Sequence, residues 1–214
     1  MNYERLYSYR FRDIDQQLRA DVWIDIAEFM RGKLGNPRAV LDPAAGRGEF
    51  INAIDAEERW AVDMVEYPEG THDQGVNVVV SDIFDANLPN DHFDGIFISN
   101  FLEHLTTQES VSVFLEKMHA VSKPGGRIAI MGPNFRYCAK QYFNCADHTL
   151  IFDHGAIAEH LYAAGFEVEE VIPRFLPYSF RQRLPASREA TRAYLRFPPA
   201  WRLLGKQFLL VGRA

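Results

Sequence analysis

Val40-Leu41-Asp42-Pro43-Ala44-Ala45-Gly46-Arg47-Gly48-Glu49-Phe50 joins a short apolar run to an amphipathic segment through small residues and glycines. A strand that ends in an acid and turns through such residues into a helix lets backbone N–H groups approach a ligand closely. Asp42, at the strand's carboxyl end, suits a positively charged ligand group better than a pyrophosphate. Asp63 ends the next strand, 21 residues further on, where a carboxylate accepts hydrogen bonds from both hydroxyls of a ribose. A G-x-G pair alone says little. The order strand, Asp, small-residue turn, helix, strand, Asp says much more.

Upstream of this stretch, Ile14, Leu18, Val22, Ile26 and Phe29/Met30 recur every three or four residues and predict a helix from about Asp13 to Leu34. Asp13 with Gln16 fits a capping box, and Gly35 with Pro37 ends the helix. The strand itself is Ala39–Leu41, and a short helix follows from about Arg47 to Ala56. Downstream, Trp60–Val62, Val76–Val80 and Phe93–Ile98 read as strands. Thr106 and Glu109 open a helix whose Val111, Phe114, Leu115 and Met118 share a face, and Lys123-Pro124-Gly125-Gly126 breaks it. Arg127–Met131 is a fifth strand, Asp153–Ala164 a helix closed by Gly165, and Phe166–Ile172 and Gln207–Gly212 two last strands. Apolar runs alternating with amphipathic helices predict an α/β fold with a mostly parallel sheet covered on both faces. The segments Pro133–Phe152 and Pro173–Lys206 exceed simple connections and read as acceptor-side excursions, with residues 1–36 as an N-terminal lid helix.

A chain of 214 residues fits one domain. No apolar run is long enough to cross a bilayer, and the opening Met1-Asn2-Tyr3-Glu4-Arg5 has no signal-peptide core behind it, so a cytoplasmic protein is expected. Cys138 and Cys145 match no zinc spacing and read as free thiols. The net charge of −6 is uneven: Arg174–Lys206 holds eight basic residues against Glu189, while the remainder carries 15 basic against 28 acidic. A basic segment on an acidic body suggests a local anionic contact and argues against a nucleic-acid partner.

The stretch from Asp42 to Gly48 resembles motif I of the class I S-adenosylmethionine-dependent methyltransferases, D-x-G-x-G-x-G, with Ala44 at the first glycine. The resemblance runs in order from Ala39 to Met131. It implies that Asp42, Ala44, Gly46 and Gly48 line the methionine part of the cofactor, with Asp42 at its ammonium. Asp63 would hold the ribose with Met64 beside it, and Asp82-Ile83 the adenine. Ser99-Asn100-Phe101-Leu102-Glu103-His104-Leu105 resembles the fourth motif. The fold so implied is a Rossmann-like, seven-stranded sheet with an antiparallel last strand. An NAD-dependent dehydrogenase shares the first turn but wants a third glycine where Ile51 stands. A cofactor-binding module without catalysis stays open as a further class.

Methyl transfer to an alcohol needs a base or a metal that takes its proton. Nucleic-acid amino methylation wants a [DNS]-P-P-[YFW] motif, and Ser99-Asn100-Phe101-Leu102 lacks it. His72, His92 and His119 read as solvent-facing, and His160 as structural. His104 borders the cofactor pocket. Asp147-His148 lies after the fifth strand, where open α/β sheets bind ligands; it could act as partner and general base, or hold a divalent metal such as Mg with Asp153 or His154. Arg181, Arg183, Arg188, Arg192, Arg196 and Arg202 interleave with Phe175, Tyr178, Phe180, Tyr194, Phe197 and Trp201, an arrangement for lid packing, a homodimer interface or anionic ligands. Tyr7–Arg12 could fold over the cofactor with an arginine on its carboxylate. The tract from Pro133 to Arg183 resembles methyltransferases of bacterial glycan and glycolipid assembly, and the length and Arg/Ala-rich tail suit the sugar 1-O-methyltransferases of mycobacterial methylmannose polysaccharide assembly. The expected acceptor is therefore a small-molecule or oligosaccharide hydroxyl, with a small aromatic or quinone-type metabolite as the alternative.

Overall fold

Each strand of the central sheet sends alternate residues into two apolar layers. Leu41, Ile96, Ile98, Ile128, Ile130 and Leu210 point one way, and Val40, Phe97, Ala129, Met131 and Leu209 the other. Period-two alternation with both sides apolar is what a doubly covered sheet requires. The computed structural model describes residues 3–13, 15–178 and 187–214. The strands are β1 (Ala39–Asp42), β2 (Glu58–Asp63), β3 (Val76–Val80), β4 (Phe93–Ser99), β5 (Ser122–Pro133), β6 (Glu167–Ile172) and β7 (Gln207–Arg213). They form one seven-stranded sheet in the order β3-β2-β1-β4-β5-β7-β6, with β7 antiparallel to both neighbours. The fold class and the reversed last strand are as expected.

The helices are α1 (Tyr3–Phe11), α2 (Gln16–Lys33), α3 (Glu49–Ala53), α4 (Gln108–Val121), α5 (Phe135–Tyr142), α6 (His154–Ala163), α7 (Arg188–Leu195) and α8 (Pro198–Leu204). Val111, Phe114, Leu115 and Met118 of α4, with Ile157 and Leu161 of α6, fill the first layer. The second layer takes Val22, Trp23, Ile26 and Met30 of α2, Phe50 and Ile51 of α3, and Leu195 and Trp201 from α7 and α8. Each fully buried Leu, Ile or Phe here contributes about 2 kcal/mol of apolar transfer.

Several boundaries differ from the sequence reading. The cap of α2 is Asp15, whose carboxylate accepts from the Gln17 and Leu18 N–H groups, in place of Asp13. Ile14 lies outside the described residues, and Leu18 is exposed, so the buried face begins only at Val22. The box opening α4 is Thr107 with Ser110, one residue later than Thr106 with Glu109, because the Ser110 hydroxyl donates and accepts over a shorter reach. Strand β5 already starts at Ser122, so Lys123–Gly126 lies within it.

The excursions contain helices that the sequence reading did not assign. Trp201 meets Phe29 and Phe175 edge to face, which packs 173–206 onto α2. Arg188 and Arg192 both pair with the buried Asp25 of α2, and Arg174 donates to the Leu203 and Gly205 carbonyls. These guanidinium groups help hold the excursion in place, as the lid-packing alternative expects. Phe180, Arg181 and Arg183 lie outside the described residues.

Candidate active site

The carboxyl ends of β1, β2, β4 and β5 form one edge, and the chain reaches it through four loops. Above β1, the Ala45 N–H donates to the Val62 carbonyl at 3.0 Å and Gly48 N–H to the Ala45 carbonyl at 2.8 Å, folding the turn tightly. Gly46 and Gly48 have φ of 56° and 77°, in the left-handed region that glycine adopts without steric cost. A Cβ at Gly46 would meet nothing within 4 Å, whereas one at Gly48 would lie 2.7 Å from His72 Cδ2. The turn is thus open at Gly46 and backed at Gly48. Ala44, two residues before Gly46, is half-buried.

Asp42 is buried, and burial pushes its carboxyl up to about 8; the Ala44 N–H opposes this, while Asp63 and Glu49 add to it. Those two neighbours are both negative, so the carboxylate lacks a countercharge and fits a ligand that brings a cation. Asp63 accepts from Gly46 N–H at 2.8 Å and Val65 N–H at 2.8 Å, and burial raises its pKa against those two bonds. Beside it, a cavity of about 290 Å³ runs between β2 and the loop holding Tyr67 and His72. Met64 is 60% exposed and offers open apolar surface. Asp82 is exposed and accepts from the Phe84 N–H, while Ile83 is turned into the core with Ala86 and Leu88. The Ile83 side chain is buried, 5% exposed, at the base of this turn. Ser99, half-buried, accepts through its hydroxyl from Asn100 Nδ2 at 3.0 Å.

A second group lies across β4 and β5. Glu103 and His104 sit on a single 3₁₀ turn, Leu102–His104, directly after β4. Asp147 and His148 lie in the loop between α5 and α6. The Thr149 and Leu150 N–H groups donate to the Glu103 carbonyl at 2.8 and 3.2 Å, which ties the two loops together. His104 Nδ1 is 3.0 Å from the Asp147 carbonyl and 3.4 Å from Asp147 Oδ2. The rings of His104 and His148 are 5.0 Å apart, and Tyr142 stands edge-on to His148 at 4.7 Å.

Asp147 therefore orients His104, not its sequence neighbour His148, because adjacent loop residues point apart. Arg10 of α1 also donates to the Asp147 carboxylate. Burial disfavours that carboxylate's charge, but Arg10 and His104 outweigh it and hold Asp147 below the usual range. Burial, with His104 adding, lowers His148 to about 4, so its ring is neutral. Glu103 is fully enclosed, and burial raises its carboxyl. The expected partners Asp153 and His154 are engaged elsewhere: Asp153 caps α6 and pairs with Arg136, and His154 Nδ1 accepts from Asn134 Nδ2.

Other histidines are less exposed than the sequence reading held. His92 bonds Glu58 at 3.0 Å, His72 backs Gly48, and His119 lies against Phe166. His160 meets Gln108 at 2.8 Å, as a structural residue. The sequence reading missed Glu103 and the pairing role of Arg10. The signal for Glu103 was present: two acid–histidine dipeptides follow two neighbouring strands.

A turn of acids and small residues after β1 and β2, with a polar cluster after β4 and β5, lies at the carboxyl edge of the sheet, where open α/β sheets bind ligands. The methyltransferase-domain family model matches residues 14–171, and the chain belongs to that family. Its cofactor is S-adenosylmethionine. The chain is similar in fold to an S-adenosylmethionine-dependent methyltransferase from Archaeoglobus fulgidus, at a TM-score of 0.68 and 22% identity over 100% of both chains. A 1,6-didemethyltoxoflavin-N1-methyltransferase from Burkholderia thailandensis, solved with S-adenosylhomocysteine, aligns at 0.61 and 21% identity over 99% of this chain and 85% of that one. The N-methyltransferase NodS from Bradyrhizobium japonicum, also solved with S-adenosylhomocysteine, aligns at 0.61 and 13% over 87% and 83%. No protein of curated function matches the sequence. Among the described residues, no helix is long and apolar enough to cross a membrane.

Proposed function

We propose that this methyltransferase acts on oxygen, at a hydroxyl of a carbohydrate or glycolipid precursor of the kind used by sugar 1-O-methyltransferases. The observation that carries the reading is the Glu103, His104, Asp147 and His148 cluster at the carboxyl edge. An alcohol must lose its proton during transfer, and a set of imidazoles and carboxylates provides for that step; an amine needs far less help.

In this reading Asp42 binds the cofactor's ammonium, Asp63 its ribose hydroxyls, and Met64 and the Asp82 turn its adenine. The cofactor supplies an electrophilic methyl on a sulfonium. Placing the hydroxyl in line with that methyl is the work of the loops after β4 and β5. His148, neutral and half-buried, is the expected proton acceptor, with Asp147 and Arg10 fixing His104 beside it. The chain would do this in the cytoplasm as one methyltransferase domain, with 1–36, 133–152 and 173–206 arranged around the acceptor.

A small aromatic or quinone-type acceptor is the second reading. It is favoured by the Tyr142 and Tyr178 rings around His148 and by Phe143, 60% exposed nearby. Transfer of labelled methyl across sugars, glycolipids, phenols and amines separates the two. The proposal expects label on a sugar hydroxyl, and label on phenols or amines alone removes it. His148→Ala should lower turnover by roughly 10²-fold or more at subsaturating acceptor. Near-wild-type turnover would remove His148 from the chemistry.

A further inference from the structure

Glu103, His104 and His148 each bring one ligand atom into a group whose members all lie within 4.8 Å of one another. The Glu103 side chain is 3% exposed, too enclosed to be a solvated surface acid. Nδ1 of His148 is buried and has no hydrogen-bond partner. Because a carbonyl can only accept, His104 Nδ1 must donate to the Asp147 carbonyl, so Nε2 is the nitrogen that ring would offer to an ion. Such a bond behind a histidine is the usual way a protein fixes the tautomer of a metal ligand. Asp147 spends its charge on Arg10, so the cluster offers one carboxylate and two imidazoles.

We propose that Glu103, His104 and His148 bind one divalent transition-metal ion, and that this ion takes on the acceptor hydroxyl to acidify it. The second half of the proposal rests on the O-methylation reading above; the first half does not. Two nitrogens and one oxygen suit Mn²⁺, Fe²⁺, Co²⁺ or Zn²⁺, whereas Mg²⁺ prefers oxygen donors throughout. The magnesium named as an expectation from sequence is therefore replaced by a borderline ion. Donors about 2.1 Å from a shared ion stand at most about 4.2 Å apart, close to the 4.8 Å within which these atoms already lie. Three protein ligands leave positions open for a hydroxyl oxygen; with the ion bound, His148 serves as its ligand in place of acting as the base, and the hydroxyl proton is released to solvent as the ion lowers its pKa.

The test uses the full chain stripped with chelator and titrated with Co²⁺, with no acceptor or turnover involved. We expect saturable binding of about one equivalent, a visible d–d absorption band, and no displacement by millimolar Mg²⁺. Glu103→Gln and His148→Ala should each weaken Co²⁺ binding by about 100-fold, while His160→Ala, on the far side of α6, leaves it unchanged. Absence of saturable Co²⁺ binding by the wild type overturns the site, whether or not the variants fold. So does undiminished binding in variants that keep the wild-type circular dichroism. Chelation is then expected to abolish methyl transfer to hydroxyls, with Co²⁺ or Mn²⁺ restoring it, and transfer that survives chelation overturns the activating role. Co²⁺ binding together with transfer to amines alone would keep the site and remove the O-methylation reading.

Discussion

The two halves of the carboxyl edge handle charge in opposite ways. Over β1 and β2, burial raises the carboxyls of Asp42 and Asp63, Asp63 and Glu49 add to the rise at Asp42, and the groups facing Asp42 and Asp63 are mainly backbone N–H donors. Over β4 and β5, Asp147 is met by Arg10 and by His104, and the loops are bonded to each other before any ligand arrives. In the first half Glu49 pairs with Arg19 while Asp42 meets only acids and a backbone N–H; the second half is neutralised within the chain. Their construction differs as well. The cradle comes from one turn and the strand beside it, whereas the cluster gathers α1, the 3₁₀ turn and the loop before α6. A ligand that carries its own positive charge should therefore settle the cradle, and substitutions far away in sequence should unsettle the cluster.

The largest effect expected from this contrast is at Asp42. Asp42→Asn removes the buried carboxyl that we propose meets the cofactor's ammonium and should weaken cofactor binding by roughly 10²–10³-fold, the scale of a broken buried ion pair. The free protein should lose little: a carboxyl raised to about 8 binds its proton more tightly folded than unfolded, so its ionisation costs stability as pH rises toward 8. Calorimetric titration with S-adenosylhomocysteine and thermal melts at pH 8 measure the two sides. Next comes Gly48→Ala, where a positive φ and a contact of 2.7 Å with His72 add, for about 2–3 kcal/mol of lost stability. Arg10→Ala should follow at about 2 kcal/mol, read as a drop in turnover with cofactor affinity kept, because it frees Asp147 and loosens only the cluster. Equal losses in cofactor affinity and turnover would mean that α1 belongs to both halves. Smallest is Gly46→Ala, at about 1 kcal/mol of backbone strain, since a Cβ there has open space.

The same contrast decides what could be read without coordinates. The cradle was legible because Asp42, Gly46, Gly48 and Asp63 fall within two consecutive strands, and local chain geometry fixes their relation. The cluster was legible only as parts. His104 and Asp147 are 43 residues apart and Arg10 and Asp147 are 137 apart, so no spacing rule joins them. Adjacency suggested Asp147 with His148, yet loop backbone turns the two side chains apart. Helix α5 was missed because eight residues with a kink at Cys138 are too short for periodicity to register. Helix α8 was missed because Pro198-Pro199 reads as a breaker, although proline at a first helical position is favourable.

The most direct test of the central claim is the proton count on cofactor binding. S-adenosylhomocysteine carries the ammonium but not the sulfonium, so its titration into the protein isolates the Asp42 contact. With Asp42 protonated below about pH 8 in the free protein, binding near pH 7 should release close to one proton, seen as a heat that differs between buffers of different ionisation enthalpy. The release should shrink as pH rises toward 8, and in Asp42→Asn it should be absent at pH 7. Tight binding with no proton released at pH 7 would contradict the claim that an uncompensated buried acid receives the cofactor, and so would no binding at all.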